Sequence, residues 1–210
     1  YKVNAAATFG VSVASVDKEQ RQIGKVQELA WGFAGGVGAF AAMGRAYGVL
    51  LPESDARRMV DGWRRANPWA PTYWQALESA YLRAMRNKNR EFQAGRVTYM
   101  YDGVHLWYSL PSGRVLCYPF AKFDAEGNVT YAKAAWKPAA DAKEWPRARL
   151  WKGLACENIT QAAANDLLRH SLRNLDDVVL HVHDEIVIET DRPEQVAQEM
   201  ERIMCTPPAW

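Results

Sequence analysis

The sequence has few of the residues that mark several common classes of protein. Only three of its 210 residues are cysteine, and Cys117, Cys156 and Cys205 lack the close spacing of zinc-binding motifs. An odd number of widely separated cysteines argues against a disulfide framework and favours a reducing cytoplasm. No apolar run reaches the roughly 18 residues of a membrane-spanning helix, so we expect no membrane partner. The first residues also lack the pattern of a signal peptide.

The chain carries little net charge, with a formal value of +2 at pH 7. This weak basicity permits binding to nucleic acid but does not argue for it. The hydrophobic content of 49% is enough for one ordinary core or two small ones. Because the sequence begins at Tyr1 rather than at Met and ends in "CTPPAW", we expect it to be a piece of a longer protein.

The first half of the chain has the apolar periodicity of α-helices. Asp17 and Gln20 have the spacing of a capping box, and Gly35-Gly36 would end the helix that begins there. Thr72 and Gln75 predict a second capping box farther along the chain. Two further helices are predicted at Val37–Tyr47 and at 54–66, the second stopped by Asn67-Pro68.

Strand-like patterns begin near Val97 and give way to helix again after residue 150. Two β-rich runs around Pro-Ser-Gly at 111–113 predict a hairpin, and "DAEGNVTY" predicts another turn. Helices are predicted from Asn158 and, with Asp191 as its N-cap and Pro193 in its first turn, near the C-terminus. The expected fold is α+β, mainly helical at first, with a β insertion near 97–131.

Residues 180–190, "LHVHDEIVIET", place four ionisable side chains between two strand patterns. The simplest geometry is a tight hairpin whose strands are packed and whose tip carries Asp184 and Glu185. Carboxylates are hard ligands that suit Mg²⁺. Two alternatives remain open from this stretch: an ordinary polar turn, and a zinc site on His181 and His183, which would share one face of a strand.

Four residues of the first long helix recur at every fourth position. Arg21, Lys25, Leu29 and Phe33 would form one stripe along the helix. Two cations one turn apart can bind a triphosphate, with the apolar residues near the sugar, base or template. The alternative is a solvated helix face with Leu29 and Phe33 turned into the core.

These two patterns occur together, in an order that resembles the C-terminal part of the family A (pol I type) DNA polymerases, especially those of bacteriophages. "RQIGKVQELAWGF" is similar to motif B of that family, an Arg-x3-Lys followed by an aromatic residue eight positions beyond the Lys. "VHDE" is similar to motif C. Between them, "LPSGRVLCY" and "ENITQAAANDLL" resemble the linking segments, so the resemblance covers nearly the whole chain.

The resemblance to motif B implies a nucleotide-binding role for four residues. Arg21 and Lys25 would hold the phosphates of the incoming dNTP, and Lys25 could act as a general acid toward the leaving phosphate. Phe33 takes the aromatic position, where Tyr is commoner. Leu29 stands where the family uses Phe or Tyr to sense the sugar, a departure that bears on sugar discrimination.

The resemblance to motif C and to the preceding segment implies contacts with DNA and metal. Gln161 and His183 would contact the primer-template near the growing end. Asp184 would bind metal, with Glu185 as its acidic neighbour, and both are candidate catalytic residues. Glu157 stands where relatives carry Asn. The family reaction uses two Mg²⁺ ions, primer-template DNA and a dNTP.

By the same resemblance, residues 1–150 would form a fingers region and residues 151–210 part of a palm. The family's motif A aspartate, which normally precedes the fingers, is not found. Asp17, Asp55 and Asp61 lie in helical patterns, and Asp102 in "YMYDGVHLW" follows motif B. We therefore expect the chain to be inactive alone, to lack the N-terminal part of the same polymerase, and to act in the cytoplasm of a bacterial host or phage-infected cell.

Two other functions remain as alternatives. One is a non-catalytic nucleic-acid-binding remnant or one half of a split polymerase. The other is an unrelated metal hydrolase built on His181, His183 and Asp184. A basic cluster would supply phosphate contacts in the first case, or would simply be a solvated helix end. Its members are Arg83, Arg86, Lys88, Arg90 and Arg96.

Overall fold

The structure, a computed structural model, describes residues 1–135 and 145–210. Helices and antiparallel strands alternate in blocks along these residues, and the expected α+β fold is confirmed. The helices are α1 (Lys2–Phe9), α2 (Lys18–Trp31), α3 (Val37–Tyr47), α4 (Glu53–Ala66), α5 (Trp69–Arg86), α6 (Lys152–Leu172) and α7 (Pro193–Cys205). None of them combines the length and the apolar character that crossing a membrane would require.

The strands form three separate antiparallel sheets within the described residues. The first sheet consists of β1 (Glu91–Ala94), β2 (Val97–Tyr101), β3 (Leu106–Ser109) and β4 (Val115–Tyr118), in that order. The second consists of β5 (Lys122–Phe123), β6 (Val129–Ala132) and β7 (Arg147–Arg149), and the third of β8 (Val178–Val182) and β9 (Glu185–Ile188). The predicted β3–β4 hairpin is confirmed, but the insertion starts at β1 and ends at β7, beyond the expected 97–131.

The first predicted helix begins as expected but ends early. The Asp17 carboxylate accepts from the Gln20 N–H at 2.8 Å, and the Gln20 side chain accepts from the Asp17 N–H at 3.2 Å, so the capping box is confirmed. However, α2 ends at Trp31 and not at Gly35-Gly36. The indole of Trp74 donates to the Gly32 carbonyl at 3.1 Å, a tertiary contact with α5 that the sequence pattern does not reveal.

Two other predicted helix starts are displaced. The capping box at Thr72 and Gln75 is wrong, because α5 already begins at Trp69 and the Thr72 hydroxyl donates to the Pro68 carbonyl at 2.9 Å. A proline fits the start of a helix because its fixed φ is already helical. In α7 the first helical residue is Pro193 as predicted, but Arg192 rather than Asp191 is the N-cap.

Aromatic side chains fill the core in two connected groups. Among the helices, Trp31 stacks on Phe40 at 5.1 Å and Trp63 stacks on Trp74 at 6.3 Å between ring centroids. A tyrosine group then continues into the first sheet. Its members are Tyr81, Tyr99, Tyr108, Tyr118 and Tyr131. Helix α5 packs on β1 and β2 on one side and on α6 on the other, so it joins the helical part to the β insertion.

Asp102 organises the turn between β2 and β3. Its carboxylate accepts from the backbone N–H groups of His105 and Val104 and from the indole N–H of Trp107, each at 2.7 Å. The bond from the His105 N–H, followed by the indole bond, lowers the pKa of Asp102 to about 2. This carboxylate, the nearest in sequence context to a motif A aspartate, is thus engaged in a local turn.

We predict that Asp102→Asn destabilises the fold in a pH-dependent manner. An amide cannot accept from all three donors as a carboxylate does. The folded pKa of about 2 lies below the ordinary value of 3.8, so the wild-type carboxylate stabilises the fold above about pH 4, and this advantage is lost as pH falls toward 2. Urea unfolding of the wild-type and Asp102→Asn proteins between pH 7 and 2 measures the difference in their free energies of unfolding. A difference in unfolding free energy that stayed constant over this range would contradict the assignment.

Candidate functional site

The predicted hairpin at residues 180–190 is confirmed. Val182 pairs with Glu185, which leaves His183 and Asp184 as a two-residue turn. His183 has a φ of +53°, in the left-handed region that non-glycine residues rarely adopt. Asp184 is exposed at the tip, whereas Glu185 is the first residue of β9 and not a tip residue. A positive φ at the first central residue is what a two-residue hairpin turn requires, so the turn geometry accounts for this conformation and holds Asp184 at the tip.

The strands of this hairpin are not packed as expected. The side chains of Val179 and Leu180 are 59% and 55% exposed, and those of Val182 and Val187 are also exposed. Strands β8 and β9 pair only with each other among the described residues. The hairpin therefore presents both its polar tip and a largely apolar surface to solvent.

The left-handed backbone also weakens the zinc alternative. That interpretation needs His181 and His183 on one face of a continuous strand, and the turn at His183 interrupts the alternation. In the described parts of the chain, no three His, Cys, Asp or Glu side chains are grouped as a metal site. The Asp184 carboxylate is a suitable oxygen ligand for Mg²⁺. An ion held by one carboxylate would need its remaining ligands from water, substrate or another protein segment.

A cleft of about 710 Å³ brings three of the predicted site residues together. Gln161 contributes from α6, and His183 and Asp184 contribute from the hairpin turn. Gln161 is more than twenty positions from His183 and Asp184 in sequence, so its convergence with them is a tertiary feature. The other lining residues are Ala164, Asn165, Leu167, Leu168, Ser171 and Met204.

One face of α6 forms the wall of this cleft. Gln161 and Asn165 are one helical turn apart, and both line the cleft. Gln161 is exposed, and its amide donates to the Glu157 carboxylate at 3.2 Å. Asn165 was not predicted as a site residue, although its spacing of four residues from Gln161 places it on the same face. This face presents amide groups that can bind polar atoms of a ligand.

The two cations of α2 lie in a second region. The guanidinium of Arg21 is 5.7 Å from the centre of the Tyr1 ring, and the Lys25 ammonium is 4.4 Å from the centre of the Tyr47 ring. Neither forms an ion pair with a carboxylate in the described residues. Aromatic rings hold both charges in place while leaving them available to an anion.

Leu29 and Phe33 do not share one environment. Leu29 is half-exposed on α2, whereas Phe33 lies beyond the end of the helix and packs against the core. The predicted stripe of four on one helix is therefore correct only for its first three members. The Phe33 carbonyl closely approaches Gly153 of α6, where a Cβ would collide with it. Gly153 and Gln161 are eight helical residues apart, or about 12 Å, so α6 connects the end of α2 to the cleft.

The cleft and the α2 cations are separate in this structure. Arg21, Lys25, Leu29 and Phe33 are not among the residues that line the cleft. The structure thus forms two groups of predicted site residues, one on α2 and one between α6 and the hairpin turn.

A buried carboxylate fixes α6 to the β insertion. Asp166 forms an ion pair with Arg114 (Nε to Oδ1, 2.6 Å), although this N–H is not aligned for a hydrogen bond, and it accepts from the Ser112 hydroxyl at 2.5 Å. Arg114 also donates to the Ala162 carbonyl at 2.7 Å. The turn "LPSGR" of the β3–β4 hairpin is thereby anchored on the helix that carries Gln161. The sequence analysis gave Asp166 no role.

We predict that Asp166→Asn lowers the free energy of unfolding by about 1.5–3 kcal/mol, the usual range for a hydrogen-bonded charged group. The loss arises because the half-buried Arg114 side chain keeps its charge but loses its charged partner. Glu53→Gln, which removes an exposed pair with Arg57 on α4, is the control and should cost less than about 1 kcal/mol. Denaturant unfolding of the three proteins tests this, and equal effects of the two substitutions would contradict the anchoring role.

Comparisons with known proteins agree with the resemblance found in the motifs. The chain is 34% identical over 216 aligned residues to the DNA polymerase of Bacillus phage SP02, a match that covers all of this chain but 33% of the phage protein. The chain therefore spans about a third of the length of this curated relative. No protein-family model matches the sequence.

The fold is also similar to that of a solved polymerase domain. The structure is the polymerase domain of Pol1 from M. smegmatis, determined in complex with a DNA primer-template and dNTP. The similarity has a TM-score of 0.57 and covers 97% of this chain and 30% of the other, at 13% sequence identity. The resemblance of this chain to part of a phage DNA polymerase is therefore confirmed, and its fold is that of part of a polymerase domain.

Proposed function

We propose that this chain is the fingers region and part of the palm of a phage-type family A DNA polymerase. Residues 1–150 would be the fingers and residues 151–210 the partial palm. The observation that carries the proposal is the cleft that brings Gln161, His183 and Asp184 together. The family resemblance assigns Gln161 and His183 to the primer terminus and Asp184 to the metal that acts there. The proposed reaction is template-directed addition of a dNTP to a primer 3′-end.

In this proposal α2 binds the incoming nucleotide. Arg21 and Lys25 carry charges about one turn apart that no carboxylate in the described residues pairs with, which suits the phosphates of a dNTP. Lys25 would also donate a proton to the leaving phosphate. Leu29 would face the sugar, and Phe33, placed beside α6 by its contact with Gly153, would lie between the nucleotide and the cleft.

The cleft would hold the end of the primer-template. Gln161 can donate to acceptors on the bases or sugars, and His183, which lines the cleft from the hairpin turn, would contact the primer terminus. Asp184 would hold Mg²⁺, with Glu185 next to it. When bound, a pair of Mg²⁺ ions lowers the pKa of the primer 3′-hydroxyl and offsets charge on the leaving pyrophosphate. Of the two carboxylates that would hold these ions, this chain would supply Asp184.

The other aspartate would come from an N-terminal part of the same polymerase, acting in the cytoplasm of a bacterial or phage-infected cell. We expect the 210-residue chain alone not to extend a primer. Translating the reading frame upstream of Tyr1 distinguishes a segment of a complete enzyme from a non-catalytic remnant or one half of a split polymerase. A strand with a motif A aspartate there favours the first, and its absence favours the second.

We predict that Asp184→Asn, in a polymerase containing this chain, slows the chemical step by roughly a hundredfold or more, since metal-based charge stabilisation is worth several kcal/mol. The substitution is isosteric at an exposed hairpin tip, so folding should be unchanged. Asp176→Asn, an exposed aspartate that does not line the cleft, is the control and should leave the rate unchanged. Single-turnover primer extension measures both, and a rate for Asp184→Asn within tenfold of wild type would refute the metal-ligand role.

We predict that Lys25→Ala weakens use of dNTP roughly ten- to a hundredfold, the value of one charge-assisted phosphate contact. The effect should reach kcat as well as KM, because charge on the phosphates grows in the transition state. Affinity for primer-template without dNTP should barely change. Arg45→Ala, an exposed cation on α3, is the control.

Measuring both kcat/KM for dNTP and the affinity for primer-template on Lys25→Ala distinguishes nucleotide binding from two other roles of this lysine. A solvated surface lysine predicts no change in either, and a lysine that binds only DNA predicts that duplex affinity falls and becomes less dependent on salt. An unchanged kcat/KM for dNTP would contradict nucleotide binding by Lys25.

A further inference from the structure

The basic residues of the chain are concentrated in one part of it. Twelve of its 26 Lys and Arg but only six of its 24 Asp and Glu lie between residues 83 and 150, so this segment has a formal charge of +6 and the remainder of the chain −4. The net charge of +2 therefore conceals a strongly basic β insertion. A polyanion would be attracted to this part of the molecule more than to the rest.

Several of these cations lie against aromatic rings at the end of α5. The guanidinium carbon of Arg83 is 4.5 Å from the centre of the Phe92 ring, and that of Arg86 is 6.0 Å from the centre of the Phe123 ring. The Lys88 side chain lies over Gly103, in the β2–β3 turn. The Tyr101 hydroxyl donates to the carbonyls of Gly103 and Ala121, so the loop under Lys88 lies next to the segment that carries Phe120.

We call the surface formed by Arg83, Arg86, Lys88, Phe92, Phe120 and Phe123 the basic–aromatic patch.

The charges of the patch are available to a ligand. Arg83, Arg86 and Lys88 are exposed, and none of them forms an ion pair with a carboxylate in the described parts of the chain. The nearby carboxylates of Asp102 and Asp124 accept hydrogen bonds within their own turns. The rings restrict the arginines and so reduce the entropy that binding would cost.

Arg96, which the sequence grouped with these cations, lies elsewhere. It follows Gly95 at the far end of β1, and Gly95 is in contact with Tyr73 in the first part of α5. Arg83 and Arg86 belong to the last turn of the same helix. The cluster expected from the sequence therefore divides, and Arg96 is not part of the patch.

Phe120 is the most unusual residue of the patch. Its side chain is 55% exposed, and its φ of +51° is in the left-handed region, a strained combination for a large aromatic residue. The backbone is fixed on both sides, because the Phe120 N–H donates to His105 Nδ1 at 3.1 Å and the Phe120 carbonyl accepts from Arg147 at 2.8 Å. The fold thus holds an aromatic ring in solvent at a conformational cost.

We propose that the basic–aromatic patch binds single-stranded nucleic acid, with the cations on the phosphates and the Phe120 ring stacked on an unpaired base. Cations beside exposed rings are the combination by which proteins bind single strands without reading their sequence. A duplex hides the faces of its bases, so the rings favour a single strand. The patch is distinct from the proposed polymerase site, because none of its residues lines the cleft or belongs to α2.

The test uses the 210-residue chain and a fluorescent oligothymidylate of about 20 nucleotides, longer than the roughly 4–16 nucleotides that such sites cover. Phe120→Leu keeps an apolar side chain but cannot stack, and we expect it to lower affinity roughly fivefold to a hundredfold. Phe120→Trp should keep or increase affinity. Phe120→Gly removes the ring, so its affinity for the oligonucleotide should fall. Because glycine also relieves the strained backbone, this variant should remain folded, which thermal melting checks.

The cations are tested by the salt dependence of the same binding. Replacing Arg86 and Lys88 by Gln should reduce the slope of log K against log salt by about 1.4, the value for two phosphate contacts on a single strand. Phe120→Leu should leave the slope unchanged. The matched control replaces Arg57 and Arg58 by Gln, two cations of α4 that pair with Glu53 and Asp55 and lie outside the patch.

Two results would overturn the proposal. One is an affinity of Phe120→Leu equal to that of wild type, and the other is binding of a duplex of the same length as tightly as the single strand. Neither result would bear on nucleotide use by Lys25 or on metal binding by Asp184. The proposed polymerase function and the patch can therefore fail independently.

Discussion

The ion pair between Asp166 and Arg114, with the hydroxyl of Ser112 as a third member, fixes a hairpin turn of the β insertion to α6. Asp166 lies on one side of this helix and Gln161 on the other, so the orientation of the cleft wall depends on a contact made behind it. A buried charge is costly unless it is paired, which makes this contact specific for one arrangement of hairpin and helix. Gly153 adds a second constraint, because only a glycine admits the Phe33 carbonyl.

This arrangement gives α6 three neighbours with different chemistry. Its first turn meets the end of α2, its middle faces the cleft with Gln161 and Asn165, and Asp166 binds the β3–β4 turn. A rigid helix of 21 residues can keep these surfaces at fixed distances. The proposed nucleotide and primer-terminus residues are thereby connected through packed backbone, although they do not contact each other.

Some local features of the fold were predictable from the sequence, although the Thr72 capping box and the Asp191 N-cap were not found, and the tertiary features were not predictable. The Asp17 capping box and the β3–β4 and His183-Asp184 hairpins are encoded by neighbouring residues, and each was found as expected. The end of α2 depends on the indole of Trp74, some forty residues away, which no local pattern contains.

The candidate site shows the same division. Alternating strands indicate a hairpin with Asp184 at its tip, but only the family resemblance of "ENITQAAANDLL" suggested that Gln161 belongs near it. Local sequence could not have paired Asp166 with Arg114, because the two residues lie on separate elements more than fifty positions apart. The positive φ of Phe120 was equally hidden, since the sequence there contains proline but no glycine.

The exposed hairpin of β8 and β9 has a further consequence for the behaviour of the chain in solution. A two-stranded sheet has two edges with unpaired backbone N–H and C=O groups, and this one also exposes Val179, Leu180, Val182 and Val187. Such edges are templates for pairing with another strand, and natural proteins normally cover them or protect them with charge. Here the polar side chains of His183, Asp184 and Glu185 are concentrated at and beside the turn. The flanking edges therefore make the isolated chain prone to concentration-dependent association through added strands.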